Sequence, residues 1–380
     1  MLRILPLFFA LLILPATLVG GIRGIQTTNG MLHVHPAAVL QQGELGFRTN
    51  MGFYTKAVDF LGQSSLPGSA VDYWNVTGDF LMSYGFSNHF DATAMLRMYQ
   101  DTHRANEHNI PDDLFLGVKA GSFRLGSDNS MGGVMLHARI PTGETHNYPY
   151  LPYASGAFEV GIMGMFSYYA DSFFPDRGIN LHLNLGFYLH NDNGRVLHEL
   201  PGTPPVEVKS SVSATQFQYA AGFIFPTEMF NLNLEFWGAA FTSRPDTAVF
   251  SRENYVYFTP SVTFKPQPRI KFDLGADIRV SGDENTTRLP AGVGDPSSTI
   301  PNYDSWKAWV GLNFVLREAS IRPEKGVDVK KRADFYETMV KERSRAKSIE
   351  EELRRLRRER EQAEKELEEL RQLLEEEDRK

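Results

Sequence analysis

The chain contains no cysteine. That absence excludes a disulfide framework, a thiolate metal site and a cysteine nucleophile. Beyond the first 20 positions it also lacks any apolar run long enough for a membrane-spanning helix, which needs roughly 18 residues or more. A β-barrel would leave no such run, because half of its residues face the lumen. Net positive charge is missing too: the formal charge is −7, which argues against nucleic acid as a partner, since phosphate neutralisation needs a cationic face. No G-x-S-x-G elbow and no H-E-x-x-H helix occurs. The expectation is therefore no enzyme, no cofactor and no metal.

The charge that is present is unevenly placed. From Arg322 onward lie 18 of the 39 basic and 18 of the 46 acidic residues, so the preceding body holds 21 basic against 28 acidic. The tail is neutral but densely charged, and the body carries the acidic excess.

Ile179 to His190 sets the reading of that body. Ile179, Leu181, Leu183, Leu185, Phe187 and Leu189 fall on one parity, and Asn180, His182, Asn184, Gly186, Tyr188 and His190 on the other. A strand sends successive side chains to opposite faces, so this is one apolar face backed by one hydrogen-bonding face. Its length suits a tilted strand crossing a bilayer, which takes roughly 9–11 residues. The alternation recurs from Glu44 to Leu316 in twelve segments. Connections after even segments are short, such as Ser87 to Asp91 and Pro226 to Met229, whereas those after odd segments are long, such as Asn191 to Val212 and Ser281 to Tyr303. A soluble sandwich has no reason to sort loop lengths by parity; an outer-membrane barrel does, with short turns periplasmic and long loops outside. The expected fold is all-β, a transmembrane antiparallel up-and-down barrel of about twelve strands, with a C-terminal α-helical coiled-coil extension. Aromatics near strand ends, among them Tyr84, Phe86, Tyr168, Tyr169, Tyr255, Tyr257 and Trp306, are expected at the headgroup level.

Around that barrel the chain divides as follows. Residues 1–21 read as a signal peptide, with Arg3, the apolar core Ile4 to Leu14 and the small-residue site Val19-Gly20-Gly21. Residues 22–43 read as an N-terminal lead-in, in which His33 and His35 share a face without a neighbouring carboxylate or third histidine and are taken as polar surface. Residues 44–320 are the barrel. Residues 321–380 are a charged periplasmic helix whose seam includes Met339, Ile349, Leu353, Leu356, Leu367, Leu370 and Leu374, interrupted by Glu342 and Arg360. Acid-before-base pairs at i, i+4, such as Glu350 with Arg354, suit that helix. Its narrow apolar stripe calls for another copy of itself or another periplasmic helix, unless it serves as a charge-stabilised spacer.

The inward parity of the barrel collects charge of both signs. Arg48, Asp79, Arg97, Lys119, Arg139, Glu159, His182, Glu235, Lys271, Asp273, Asp277, Arg279 and Lys307 are the expected pore-lining residues. If water fills the lumen they set the field felt by a passing solute; if not, they form a paired polar plug. The two functional readings are a porin-like channel for small solutes and a structural envelope protein whose closed barrel anchors the helix to a partner.

Gly43-Glu44-Leu45-Gly46-Phe47, Leu114-Phe115-Leu116-Gly117-Val118-Lys119 and Ala138-Arg139-Ile140-Pro141-Thr142-Gly143 resemble a group of outer-membrane transporters linked to the meta-pathway of phenol degradation. The resemblance implies uptake of hydrophobic or aromatic compounds. Gly311, Leu312, Phe314 and Leu316 are similar to the carboxy-terminal signal of outer-membrane barrels, which implies lipid and the barrel-assembly machinery as partners. A looser likeness is to OmpA-type proteins, although nothing globular follows the helix here.

Overall fold

The computed structural model describes residues 25–58, 71–101, 108–109, 112–143, 150–154, 156–172, 175–200, 202, 204–290, 302–318, 349 and 351–365. The expected signal peptide and most of the C-terminal segment lie outside the described residues. In chain order the strands are β1 Leu45–Val58, β2 Val71–Ser87, β3 Phe90–Asp101, β4 His108–Asn109, β5 Leu114–Leu125, β6 Ser127–Ile140, β7 Glu159–Tyr169, β8 Asn180–Leu189, β9 Val196–Leu200, β10 Val206–Lys209, β11 Thr215–Pro226, β12 Phe230–Ser243, β13 Tyr255–Gln267, β14 Ile270–Arg279 and β15 Trp306–Arg317. Helix α1 covers 351–365.

Twelve of these strands close into one antiparallel barrel. Each pairs with the next barrel strand, and β15 returns to β1 with Phe47 opposite Phe314 and Asn50 opposite Gly311. Closure leaves no free edge, so the backbone N–H and C=O groups of the wall pair largely within the sheet, and where the ladder is interrupted in β5 the Ser122 N–H turns to the Ala37 oxygen. The small β4 pairs antiparallel with the end of β3, and β9 with β10 forms a separate hairpin in the connection between β8 and β11. The tightest turn joins β5 to β6 through Gly126 alone, whose φ of +73° is a left-handed conformation that a side chain would strain.

The period of two sorts the wall cleanly. Leu185 and Phe187 are exposed on the outside, as are Met51, Leu136, Ile162, Val310 and Leu274, the last at 65%. On the opposite parity of β8, Asn180, His182, Asn184, Tyr188 and His190 are buried inside. The aromatic expectation divides. Phe86, Tyr168 and Trp306 do face outward, but Tyr169, Tyr255 and Tyr257 are buried in the interior, because their parity places them on the inner face.

The interior also contains apolar packing that the polar inner parity did not suggest. Leu81, Met95, Phe115, Met135, Met163 and Met165 form one cluster together with Ile25 and Ala37. Trp237, Tyr255, Tyr257 and Tyr303 form another with Met31 and Val34. Ile25, Met31, Val34 and Ala37 all come from the segment before β1. The residues expected to be a mere lead-in run inside the barrel.

The chain parts into two units between Ser320 and Ile321. Within α1 the ion pairs Arg355–Glu359 and Arg360–Glu364, both at 2.8 Å, run base before acid, opposite to the order favoured in the sequence reading.

Candidate functional site

Residues 25–43 have no regular secondary structure, and inward-facing wall side chains supply many of their backbone groups with the partners a sheet would otherwise provide. Glu235 of β12 is the clearest case. Its two carboxylate oxygens accept N–H bonds from Leu32 at 3.2 Å, His33 at 2.7 Å and Val34 at 2.9 Å. Three donors on one anion form a compact, charge-assisted clasp.

Arg48 of β1 does the converse with carbonyls. Its Nη1 donates to the oxygens of Thr27 at 3.2 Å, Gly30 at 3.0 Å and Met31 at 2.8 Å, while its Nη2 pairs with Asp273 at 3.1 Å. Lys119 of β5 donates to the Ala38 oxygen at 2.8 Å and to Asn29 Oδ1 at 3.3 Å, and pairs with Asp91 at 3.2 Å. Asp91 in turn accepts the Leu40 N–H at 2.9 Å. Asn184 both accepts from the His35 N–H and donates to the His35 oxygen, each at 2.7 Å. Ser167 accepts the Ala37 N–H at 2.7 Å and meets His182 Nδ1 at 2.8 Å.

His33 and His35 are thus not surface residues, and this corrects the sequence reading. The carboxylate missing near them in sequence comes from β14: His33 Nε2 lies 2.8 Å from Asp277 Oδ1. Asp277 also accepts bonds from Thr259 at 2.7 Å and from the Trp309 indole at 2.6 Å, and His33 stacks on Trp237 with ring centroids 4.0 Å apart. Burial above all, with further contributions from Lys119, His137, Arg48 and His33, holds the His35 imidazole down to about 3, so it stays neutral. Among the described residues no group of three or more His, Asp or Glu side chains has the arrangement of a metal site.

The remaining expected lining residues also face the interior, held by other partners. Asp79 pairs with Arg97 at 2.8 Å across β2 and β3. Arg139 pairs with Asp113 and lies 3.7 Å from Glu159, which is 3.1 Å from His190. Asp273 accepts from Thr263 at 2.6 Å. Arg279 pairs with Asp283 and donates to the Tyr303 oxygen at 2.8 Å. Lys307 sits over the Trp309 ring at 5.0 Å, and Lys271 is half-buried.

Inward glycines are the sequence signal that the reading missed. A Cβ on Gly117 would meet Ile25, one on Gly222 would meet Met31 and Val34, and one on Gly275 would meet Leu32. At Gly121 and Gly133 it would meet the Ala37 carbonyl, and at Gly85 that of Gln41. These glycines share the parity of the lumen charges and leave notches for the segment they face.

Above this segment, toward the rim of the long connections, the loops fold over one another. Tyr153 donates to Asp192 at 2.6 Å, Asp192 accepts the Ala214 N–H at 2.7 Å, and Tyr303 donates to the carbonyls of Ser251 at 2.8 Å and Glu253 at 2.7 Å. Tyr150 packs on Tyr54 with centroids 5.2 Å apart, and burial pushes its phenol up to about 12.

No family model matches the chain, and no curated protein does either. Among solved structures, an outer membrane channel from Pseudomonas putida F1 is similar at 10% identity and a TM-score of 0.45, covering 74% of this chain and 100% of that one. The NanC porin is similar at 9% identity and a TM-score of 0.42, covering 71% and 100%. The toluene transporter TbuX from Ralstonia pickettii is similar at 6% identity and a TM-score of 0.36, covering 73% and 90%.

Proposed function

We propose that the chain is an outer-membrane barrel that passes small solutes passively, and that residues 25–43 hold it closed. The exposed apolar wall supports a lipid location, since a contiguous apolar surface of this size is costly in water. The even strand number, with both barrel ends on the short-turn rim, supports short turns and the charged helix on the periplasmic side. One observation carries the channel reading. Arg48, Lys119, Glu235 and Asp277 are bound by a separate segment, rather than paired only with one another across the wall. Without that segment, charges of both signs would face a passage through the barrel, as the lining of a pore requires.

A second reading, the closed structural barrel, draws on the apolar burial of Ile25, Met31 and Val34. Dry packing of that kind suits permanent filling as well as a stopper.

The two separate in a planar bilayer. The intact chain is expected to show rare, discrete conductance steps, and a chain lacking residues 25–42 frequent ones of equal or larger size. A deletion variant that folds, shown by heat-modifiable mobility, yet gives no steps would overturn the channel reading in favour of the structural one.

A further inference from the structure

Helix α1 presents a stripe that nothing in the barrel reading uses. Leu353 and Leu356 are exposed at 51% and 57%, and Ile349, itself helical, at 57%. In sequence the stripe alternates steps of four and three from Met339 through Ile349, Leu353, Leu356 and Ala363 to Leu374. That is the a and d spacing of a two-stranded coil, with Leu353 at a and Leu356 at d. We propose that this stripe is the seam of a parallel, in-register coil formed with the same helix of a second copy of the chain.

The flanking charges choose the occupant and its direction. In a parallel pair each g residue faces the e residue of the next heptad on the other helix. Within the described helix this sets Glu352 against Arg357, an opposite-charge pair, and by sequence spacing Arg345 with Glu350 and Glu366 with Arg371 carry the same alternation at g and e. The one like pair, Glu359 with Glu364, is neutralised within each helix, because Arg355 and Arg360 already hold these carboxylates at 2.8 Å. An antiparallel pair would set g against g, and Glu352, Glu359 and Glu366 would then repel one another. The pattern is complementary to itself, which an unrelated partner does not require. Arg360 at an a position weakens the seam but penalises any register that leaves it facing leucine.

The absence of cysteine makes the test direct. In the full-length, detergent-solubilised protein, Leu356→Cys on the seam is expected to oxidise to a covalent dimer, whereas Arg358→Cys on the opposite face is not. Adding Glu352→Arg to the Leu356→Cys chain should cut the cross-linked fraction at least fivefold, and further adding Arg357→Glu should restore it. Light scattering on the parent should report two copies, and Leu353→Lys should return the mass to one. A monomeric parent with no Leu356→Cys dimer, as a spacer or a helix reserved for another protein would give, overturns the proposal. Equal cross-linking at both cysteine positions does so as well.

Discussion

The two halves of the barrel interior are furnished by different parts of the chain. The half nearer the short-turn rim is occupied by one segment, residues 25–43, which runs on into β1 and is held mainly through its backbone, as at Glu235, Arg48 and Asn184. The half nearer the long connections is bordered by several loops, each tied to the wall at both ends and held by side-chain contacts such as Tyr153 with Asp192 and Tyr303 with the Ser251 and Glu253 carbonyls. A segment without sheet pairing of its own can be released if water takes over its hydrogen bonds to wall side chains, whereas a loop fixed between two wall strands can only deform. The difference supports placing the proposed gate at the segment rather than at the loops.

The largest expected effect comes from breaking the clasp. Glu235→Ala leaves the Leu32, His33 and Val34 N–H groups without their acceptor, at about 1–3 kcal/mol for each donor that stays buried. Step frequency in a bilayer should rise by at least tenfold, while the barrel keeps its heat-modifiable mobility. A frequency unchanged from the parent would place the gate elsewhere.

A smaller effect is expected from acid. The docked His35 refuses a proton that the released segment accepts near pH 6.5, so the docked form loses stability as pH falls below that value and stops losing it near pH 3. Openings should become about tenfold more frequent between pH 7.5 and 5.5. His35→Asn should flatten that dependence, and an equally steep response in the variant would remove His35 from the account.

The smallest effect belongs to the loop half. Burial raises the Asp246 carboxyl, but hydrogen bonds from the Ala248 N–H at 3.1 Å and from Ser211 at 3.1 Å outweigh it and hold the group below the usual carboxylate range. Its contribution is therefore present above about pH 4 and lost as pH falls through the lowered value. Asp246→Ala should cost about 1 kcal/mol at neutral pH, read as faster protease cleavage in 244–254, with step frequency unchanged. A rise in frequency to match Glu235→Ala would erase the distinction between the halves.

How much of this was legible in the chain follows from what has a period. The wall was legible, because alternation such as Leu185, Phe187 and Leu189 against Asn184 and His190 is a direct image of the pleat. The inward charges were legible for the same reason. Residues 25–43 have no period, since their hydrogen bonds go to side chains spread from Arg48 to Asn313, so nothing local marked them as interior. Only the inward glycines such as Gly117, Gly121 and Gly222 pointed to a close approach, and reading them needed the register that the structure supplies. Tyr255 and Tyr257 show that residues near a strand end still obey parity before any preference for the headgroup level.

The most direct measurement uses the missing cysteine once more. A Cβ on Gly222 would sit 3.1 Å from the Val34 Cβ, close enough for a disulfide to pin residues 25–43 to β11 after a small adjustment. The full chain with Val34→Cys and Gly222→Cys is recorded in one bilayer, oxidised first and then with reductant added. The account predicts silence while the bond is intact and openings once it is reduced. Openings at the same frequency in both conditions would contradict it.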